Sequence, residues 1–198
     1  RIISLCDGND KIYLEVDSDV EKIIKEKYSS YPVNSKDLPE GTILDGSIPY
    51  KKINNRKTDS LNWGDLLRLN QDFLIYDFEF YKCDGSYKKH DSTIFVNDQF
   101  IKINSGTNLK AGVIIDAEEG PVVIGRNVII DSGAIIKGPV FIDDESYIAS
   151  GAKIKSATSI GKNCKVGGEI SNCIISNYSN KVHDGFLGHS FIGEWVNI

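Results

Sequence analysis

The chain has 198 residues, 40% of them hydrophobic, which is enough for one or two domains with a buried core. Its 23 basic residues are outnumbered by 28 acidic ones. The net charge of −5 argues against nucleic acid as a partner, because phosphate backbones require a basic surface. No stretch approaches the roughly 20 apolar residues of a membrane span, and no signal peptide is visible, so neither a membrane nor a secreted role is indicated.

The four cysteines, Cys6, Cys83, Cys164 and Cys173, form no CxxC motif and no metal-ligand spacing. Disulfides persist mainly in oxidising compartments, and the sequence shows no export signal. We therefore expect all four thiols to be reduced and the protein to be cytoplasmic.

Residues 1–105 lack a regular repeat and are predicted to form a small α+β region. Residues 2–5 and 11–16 have the composition of short strands, and a helix is predicted over about 19–28. A second helix, over about 62–77, is predicted from a partly helical spacing of large apolar residues, with Asn62 as its N-cap. We interpret this second helix as a linker.

A run of aliphatic residues spaced by six begins at Ile124. Its members are Ile124, Ile130, Ile136, Ile142, Ile148, Ile154, Ile160 and Val166. Four residues after the first seven come residues of little bulk: Val128, Ala134, Val140, Ser146, Ala152, Thr158 and Cys164. Because a short fixed period makes a chain coil and stack on itself, we predict a mainly β fold. It is a parallel, left-handed β-helix of hexapeptide repeats over 106–198, with the aliphatic residues inward and the small ones at corners.

After Val166 the repeat changes phase. We predict a two-residue slip, after which Ile174, Asn180, Phe186, Ile192 and Ile198 take the inward positions. Solenoids normally end in a polar cap, and Ile198 begins a new hexad instead. We therefore expect the chain to be a piece of a longer protein.

The hexad of residues 180–185 breaks the pattern, since Asn180 is predicted in the inward position and Asp184 at the corner. Sequence rules fail most often where function overrides them. His183 is a candidate general base, because imidazole titrates near neutrality. An inert surface histidine is an equally good interpretation, and a zinc site formed with His189 at a subunit interface is a third.

The stretch 165–198 reads KVGGEISNCIISNYSNKVHDGFLGHSFIGEWVNI. It resembles the acetyltransferase half of the bifunctional N-acetylglucosamine-1-phosphate uridylyltransferase / glucosamine-1-phosphate acetyltransferase family. The divergent bacterial branch of sugar nucleotidyltransferases is the most similar. The specific part is a Lys-x-His…Gly…Asn-Ile block, in which the lysine is one residue closer to the histidine than in the family.

The resemblance implies acetyl transfer from acetyl-CoA to glucosamine 1-phosphate or a related amino sugar, in UDP-N-acetylglucosamine biosynthesis. It also implies a homotrimer with sites between subunits, no resident metal, and an acetyl-CoA site mostly beyond Ile198. Residues 1–105 would be the tail of a nucleotidyltransferase domain plus its linker, although they contain no glycine-rich phosphate loop. Two alternatives stay open: a non-catalytic trimeric scaffold for a sugar nucleotidyltransferase domain, and a zinc lyase or hydrolase.

The resemblance also assigns residue roles. His183 takes the position of the catalytic base, and Asn197 that of an asparagine that holds the sugar. Lys153 falls at the family's arginine position for the sugar nucleotide or phosphate. The family's sugar-binding lysine is replaced by Ser171, for which Lys181 or Lys165 could substitute, and its tyrosine three residues after the base is replaced by Phe186.

Overall fold

A helix comes first in the part of the chain that the structure describes. In this computed structural model the described residues are 63–198, so the predicted elements before them and the Asn62 cap lie outside this range. Helix α1 spans Trp63–Asp77, where a helix was predicted, and a 3-10 turn over Phe78–Phe80 follows it. The role of α1 as a linker stays a prediction. None of the helices in this range is long and apolar enough to cross a bilayer.

Sixteen short strands follow the helix within the described range, and every strand pairing is parallel. Strands β1 to β16 are Lys88–Lys89, Ile94–Val96, Ile101–Ile103, Asn108–Leu109, Ile114–Asp116, Val122–Ile124, Ile129–Ile130, Ile135–Lys137, Val140–Ile142, Tyr147–Ile148, Lys153–Ile154, Thr158–Ile160, Lys165–Val166, Glu169–Ile175, Asn180–Lys181 and Phe186–Ile192. Each strand pairs with the strand three places further along the chain until β14, so three strands make one turn. The predicted β-helix of hexapeptide repeats is confirmed.

The strands form three faces, which we name by chain order. Face 1 contains β1, β4, β7, β10, β13 and β15. Face 2 contains β2, β5, β8, β11 and the first halves of β14 and β16, and face 3 contains β3, β6, β9, β12 and the second halves. Because β14 continues from face 2 into face 3 as one strand, these two faces belong to a single sheet.

The interior contains the predicted residues. All eight aliphatic residues of the repeat from Ile124 to Val166 have a relative exposure of 0%, and the seven small residues that follow them are also buried. The polar corner residue Ser146 has partners: its Oγ donates to the Gly161 carbonyl at 2.7 Å and accepts from the Cys164 amide at 2.9 Å. Buried hydroxyls of this kind are tolerated because their hydrogen bonds are satisfied.

The coil starts before residue 106, which is the predicted boundary of the β-helix. Lys88 pairs with Asn108 and Ile94 pairs with Ile114, so β1 and β2 already belong to faces 1 and 2. These partners are 20 residues apart instead of 18 because corners in the first turns contain extra residues. A strict period of six therefore does not detect the first turns.

The predicted phase after Val166 is wrong. Ile174 is only partly buried, Asn180 faces outward on β15, and Phe186 is 65% exposed. Each lies one residue before the true inward position. The residues that continue the interior are Ile170, Ile175, Lys181, Leu187 and Ile192.

Shortened corners are the physical reason for this error. We predicted two added residues, whereas the chain loses two at the Gly167–Gly168 corner and one more at Asn172. Successive turns are then 16 and 15 residues apart on faces 2 and 3, as the pairs of Ile170 with Ile154 and of Ile175 with Ile160 show. A further one-residue loss around His189 brings the predicted and observed phases back together at Ile192.

Helix α1 is attached to the side of the coil through Asn70. This side chain is only 5% exposed, and its Nδ2 donates to the Ala157 carbonyl at 2.7 Å. Ser159 Oγ donates to Asn70 Oδ1, also at 2.7 Å. Since Ser159 belongs to β12, these bonds hold the helix on face 3, where it contacts β12, β14 and β16.

Candidate functional site

The predicted catalytic residue lies on a corner loop. Residues 182–185 connect β15 on face 1 to β16 on face 2, and we call them the histidine corner. His183 and Asp184 are both exposed. Within residues 63–198 no hydrogen bond joins the His183 ring to Asp184. The imidazole is therefore exposed to solvent at the edge between faces 1 and 2.

The histidine corner lies directly on the corner of the previous turn. Gly168 has φ +75°, and a Cβ added to it would be 2.5 Å from the Gly185 carbonyl oxygen and 3.1 Å from that of His183. Glu169 donates its amide to the Gly185 carbonyl at 3.0 Å. Any side chain at position 168 would displace backbone, so the shortened glycine corner fixes how close the histidine corner can come.

We expect Gly168→Ala to destabilise the protein more than Gly151→Ala does. Gly151 is the equivalent corner residue one turn earlier, with φ +68°, but nothing lies within 4 Å of a Cβ added there. Both variants bear the penalty for a left-handed alanine, about 1–2 kcal/mol. Only Gly168→Ala adds a collision with the histidine corner, which we expect to cost at least about 1 kcal/mol more. Urea unfolding of both variants measures the difference, and equal losses would contradict it.

Lys181 takes an inward position instead of the outward one that a sugar ligand needs. It pairs with Val166, which in turn pairs with Ile148, so it belongs to an interior column of otherwise apolar side chains. The side chain is only 6% exposed. Its Nζ donates to the Gly167 carbonyl at 3.3 Å and, by a shorter contact, to the His183 carbonyl. The shortened corners place it there, because a two-residue slip would put Asn180 inside.

The face 1 side of the histidine corner is lined by asparagines. Asn197 pairs with Asn180, and the amide of Ile198 donates to the Asn180 carbonyl at 2.9 Å. Asn197 is exposed and lies one turn above Asn180, which is three residues before His183. Asn197 therefore lies on face 1, one turn above the strand that leads into the histidine corner. Lys165 is exposed on the same face, one turn below Asn180.

The face 2 side has an outward ladder of Lys153, Glu169 and Phe186, in successive turns. The Phe186 ring lies over Gly188, where an added Cβ would be 2.7 Å from ring Cε1. Lys153 is exposed and two strand spacings from Phe186, or about 10 Å between backbones. Lys153 therefore lies two turns below Phe186, with Glu169 between them.

Sequence reasoning missed an ion pair on this face. Lys155 Nζ is 2.6 Å from Glu169 Oε1, and the side chains are 45% and 38% exposed. The hydrogen bond and positive charge of Lys155 lower the pKa of Glu169 from its usual value. The alternation of strand residues could have indicated the pair, since Lys153 and Lys155 flank the inward Ile154. Ser171, at the family's lysine position, pairs with Gly188 one turn above.

His183 and His189 lie at different corners. His189 has φ +50° within β16, at the corner between faces 2 and 3, whereas His183 lies between faces 1 and 2. In the described part of the chain, no group of three or more histidine, cysteine or acidic side chains is arranged to hold a metal ion.

Comparisons with known proteins found relatives that this chain matches over part of their length. No family model matches the sequence. A bifunctional protein GlmU from Alkaliphilus metalliredigens is 26% identical over 162 residues, 69% of this chain and 35% of that protein. The GlmU of Wigglesworthia glossinidia brevipalpis is 35% identical over 133 residues, 63% of this chain and 27% of that protein. The chain is similar to bifunctional GlmU proteins.

A third relative, the GlmU of Rippkaea orientalis, is 27% identical over 123 residues. The chain spans no more than about a third of the length of these GlmU proteins, at 35% or less of each. Among solved structures, two mutants of perosamine N-acetyltransferase from Caulobacter crescentus, in complex with CoA and GDP-perosamine, are 16% and 15% identical. Each comparison covers 94% of this chain and 95% of the other, with a TM-score of 0.38.

Proposed function

We propose that this chain is part of a sugar-phosphate N-acetyltransferase, which transfers the acetyl group of acetyl-CoA to glucosamine 1-phosphate or a related amino sugar. The observation that carries the proposal is the exposed His183 on a corner of a hexapeptide β-helix whose sequence is similar to GlmU. The location of that histidine supports it, because a general base must be reachable by the amine that it deprotonates.

In the proposed reaction the amine nitrogen of the sugar attacks the thioester carbonyl carbon of acetyl-CoA, and the His183 imidazole accepts the proton that the amine loses. The carbon–sulfur bond then breaks, and the sulfur leaves as the thiol of CoA after taking up a proton. Asn197, on the adjoining face, is proposed to hold the sugar. Lys153 is proposed to bind its phosphate, because an exposed ammonium attracts a phosphate dianion.

The proposed assembly is a homotrimer with its active sites between subunits. The support for this comes from the position of the histidine corner at an outer edge of the coil, where a neighbouring subunit could provide the second wall of a site. Residues 1–105 are proposed to be the end of a nucleotidyltransferase domain and its linker.

The assay that tests the function follows thiol release from acetyl-CoA with a panel of acceptors. It uses the full-length protein to which this chain is proposed to belong, since the acetyl-CoA site is expected mostly beyond Ile198. We expect release with glucosamine 1-phosphate or with another amino-sugar phosphate or nucleotide. We expect none with N-acetylglucosamine 1-phosphate, whose nitrogen is already acylated. Glucosamine without phosphate is the control for the phosphate contact of Lys153, and it should react more weakly. Absence of transfer to every amino sugar in the panel would contradict the proposal.

A second candidate is a non-catalytic trimeric scaffold for a sugar nucleotidyltransferase domain. Two departures from the family favour it: Phe186 has no hydroxyl where the family has a tyrosine, and Ser171 has no charge where it has a lysine. A scaffold would form a stable trimer in light scattering and still fail the thiol-release assay with every acceptor. The same two measurements therefore separate the two candidates.

A further inference from the structure

A cationic side chain stands in the interior of the coil where each of the four preceding turns has a buried apolar one. The interior column consists of Leu109, Ile130, Ile148, Val166 and then Lys181, and its four apolar members are at most 1% exposed. Burial of an ammonium is unfavourable unless its donors are satisfied. An aliphatic residue would fill this position at no such penalty, so the lysine requires an explanation beyond packing.

The contacts of Lys181 provide that explanation. Its Nζ donates to the carbonyl oxygens of Gly167 and His183, which belong to two successive corners of the same edge. The backbone of Lys181 is tied to the lower corner as well, because the Gly167 amide donates to the Lys181 carbonyl at 2.7 Å. The lysine therefore joins the backbone of the candidate base, from inside the coil, to the turn beneath it.

We propose that Lys181 is a positioning residue, which fixes the His183 imidazole at the outer edge by holding the His183 carbonyl from within. Charge-assisted hydrogen bonds are stronger and shorter than neutral ones, so an ammonium restrains a carbonyl better than a neutral donor does. The side chain does not contact the sugar in this arrangement. The effect of Lys181 on catalysis rests on the proposed function. Its effect on the position of the His183 ring does not.

The test is Lys181→Met, which removes both hydrogen bonds and keeps an unbranched apolar side chain inside. We expect this variant to fold, because replacing a buried charge with an apolar residue of similar volume is often tolerated. The chain has only three histidines, His90, His183 and His189, so NMR of ¹³C-labelled histidine rings gives three sets of signals. We expect the His183 ring signals to shift or broaden while those of His90, far along the coil, stay unchanged.

Kinetics provide the second readout. A small displacement of a reacting group lowers the rate steeply, so kcat of Lys181→Met should fall between about ten- and a hundredfold with little change in KM for the amino sugar. If instead KM rises and kcat and the His183 signals are unchanged, Lys181 is a sugar ligand and the inference is overturned. Unchanged His183 signals with unchanged kinetics overturn it too.

Two further outcomes are separable. If the wild-type protein transfers no acetyl group, the proposed function fails. The NMR comparison still decides the geometry, since it needs no substrate. If Lys181→Met does not fold, Lys181→Ile restores an aliphatic residue, which the four preceding turns have at this position. Failure of both variants to fold would overturn the inference in favour of a role in folding alone.

Discussion

In the full-length protein, His183→Ala should lower kcat for acetyl transfer by about 10²–10⁴-fold, the range that a positioned general base contributes. The variant removes only the imidazole. The contacts that hold the histidine corner use backbone atoms, namely the carbonyl oxygens of His183 and Gly185, and these are retained. The fold and the oligomeric state should therefore be unchanged, so the loss can be assigned to the missing base.

His189→Asn is the matched control for this prediction. His189 is also exposed and belongs to the same last turn, but it lies at another corner with φ +50°. Asparagine tolerates that left-handed conformation better than most residues, so the replacement should leave the backbone undisturbed. We expect wild-type kcat for this variant in the same thiol-release assay. Equal turnover in His183→Ala and the wild type would remove His183 from the mechanism.

Ile148→Ala should lower the free energy of unfolding by about 2–5 kcal/mol, the usual range for truncation of a buried aliphatic residue. Ile148 is 0% exposed and stacks between Ile130 and Val166 in the interior column. In a coil each turn contacts mainly its two neighbours, so few side chains are available to fill the cavity. The measurement is denaturant unfolding at one fixed protein concentration, because association contributes to the stability of an oligomer.

Ile129→Ala is the control for packing. Ile129 is in the strand β7 that pairs with β10, but it faces outward and is 42% exposed. Its truncation should change the free energy of unfolding by less than about 1 kcal/mol. If the two variants lose the same stability, the interior column is not the main source of stability of the coil.

The sequence was sufficient to predict the coil where the chain length per turn is constant. From Ile124 to Val166 every inward residue was predicted correctly, because each turn there has 18 residues and an aliphatic side chain on each face. Beyond Val166 a fixed period does not predict the inward residues. The corners there differ in length, and the composition of the strands does not reveal this.

The candidate site was only partly predictable for the same reason. His183 was proposed because its hexad interrupts the hydrophobic pattern. The structure shows that it is exposed, and its role stays a prediction. The placement of Lys181 could not be predicted, because a shift of one residue in the strand register turns an outward lysine into an inward one. The close approach of Gly168 to the histidine corner depends on backbone geometry. The Gly-Gly pair in the sequence indicates an unusual corner but not what it contacts.

Helix α1 has a consequence for symmetry. It is attached by Asn70 to β12 and the neighbouring corner, so part of face 3 is already covered within the chain. Around a threefold axis, each subunit contacts one neighbour with one surface and the other neighbour with a different surface. In the proposed trimer the helix leaves faces 1 and 2 as the continuous surfaces for those two roles. The edge that these faces share is the one with His183, so each histidine would lie where two copies meet.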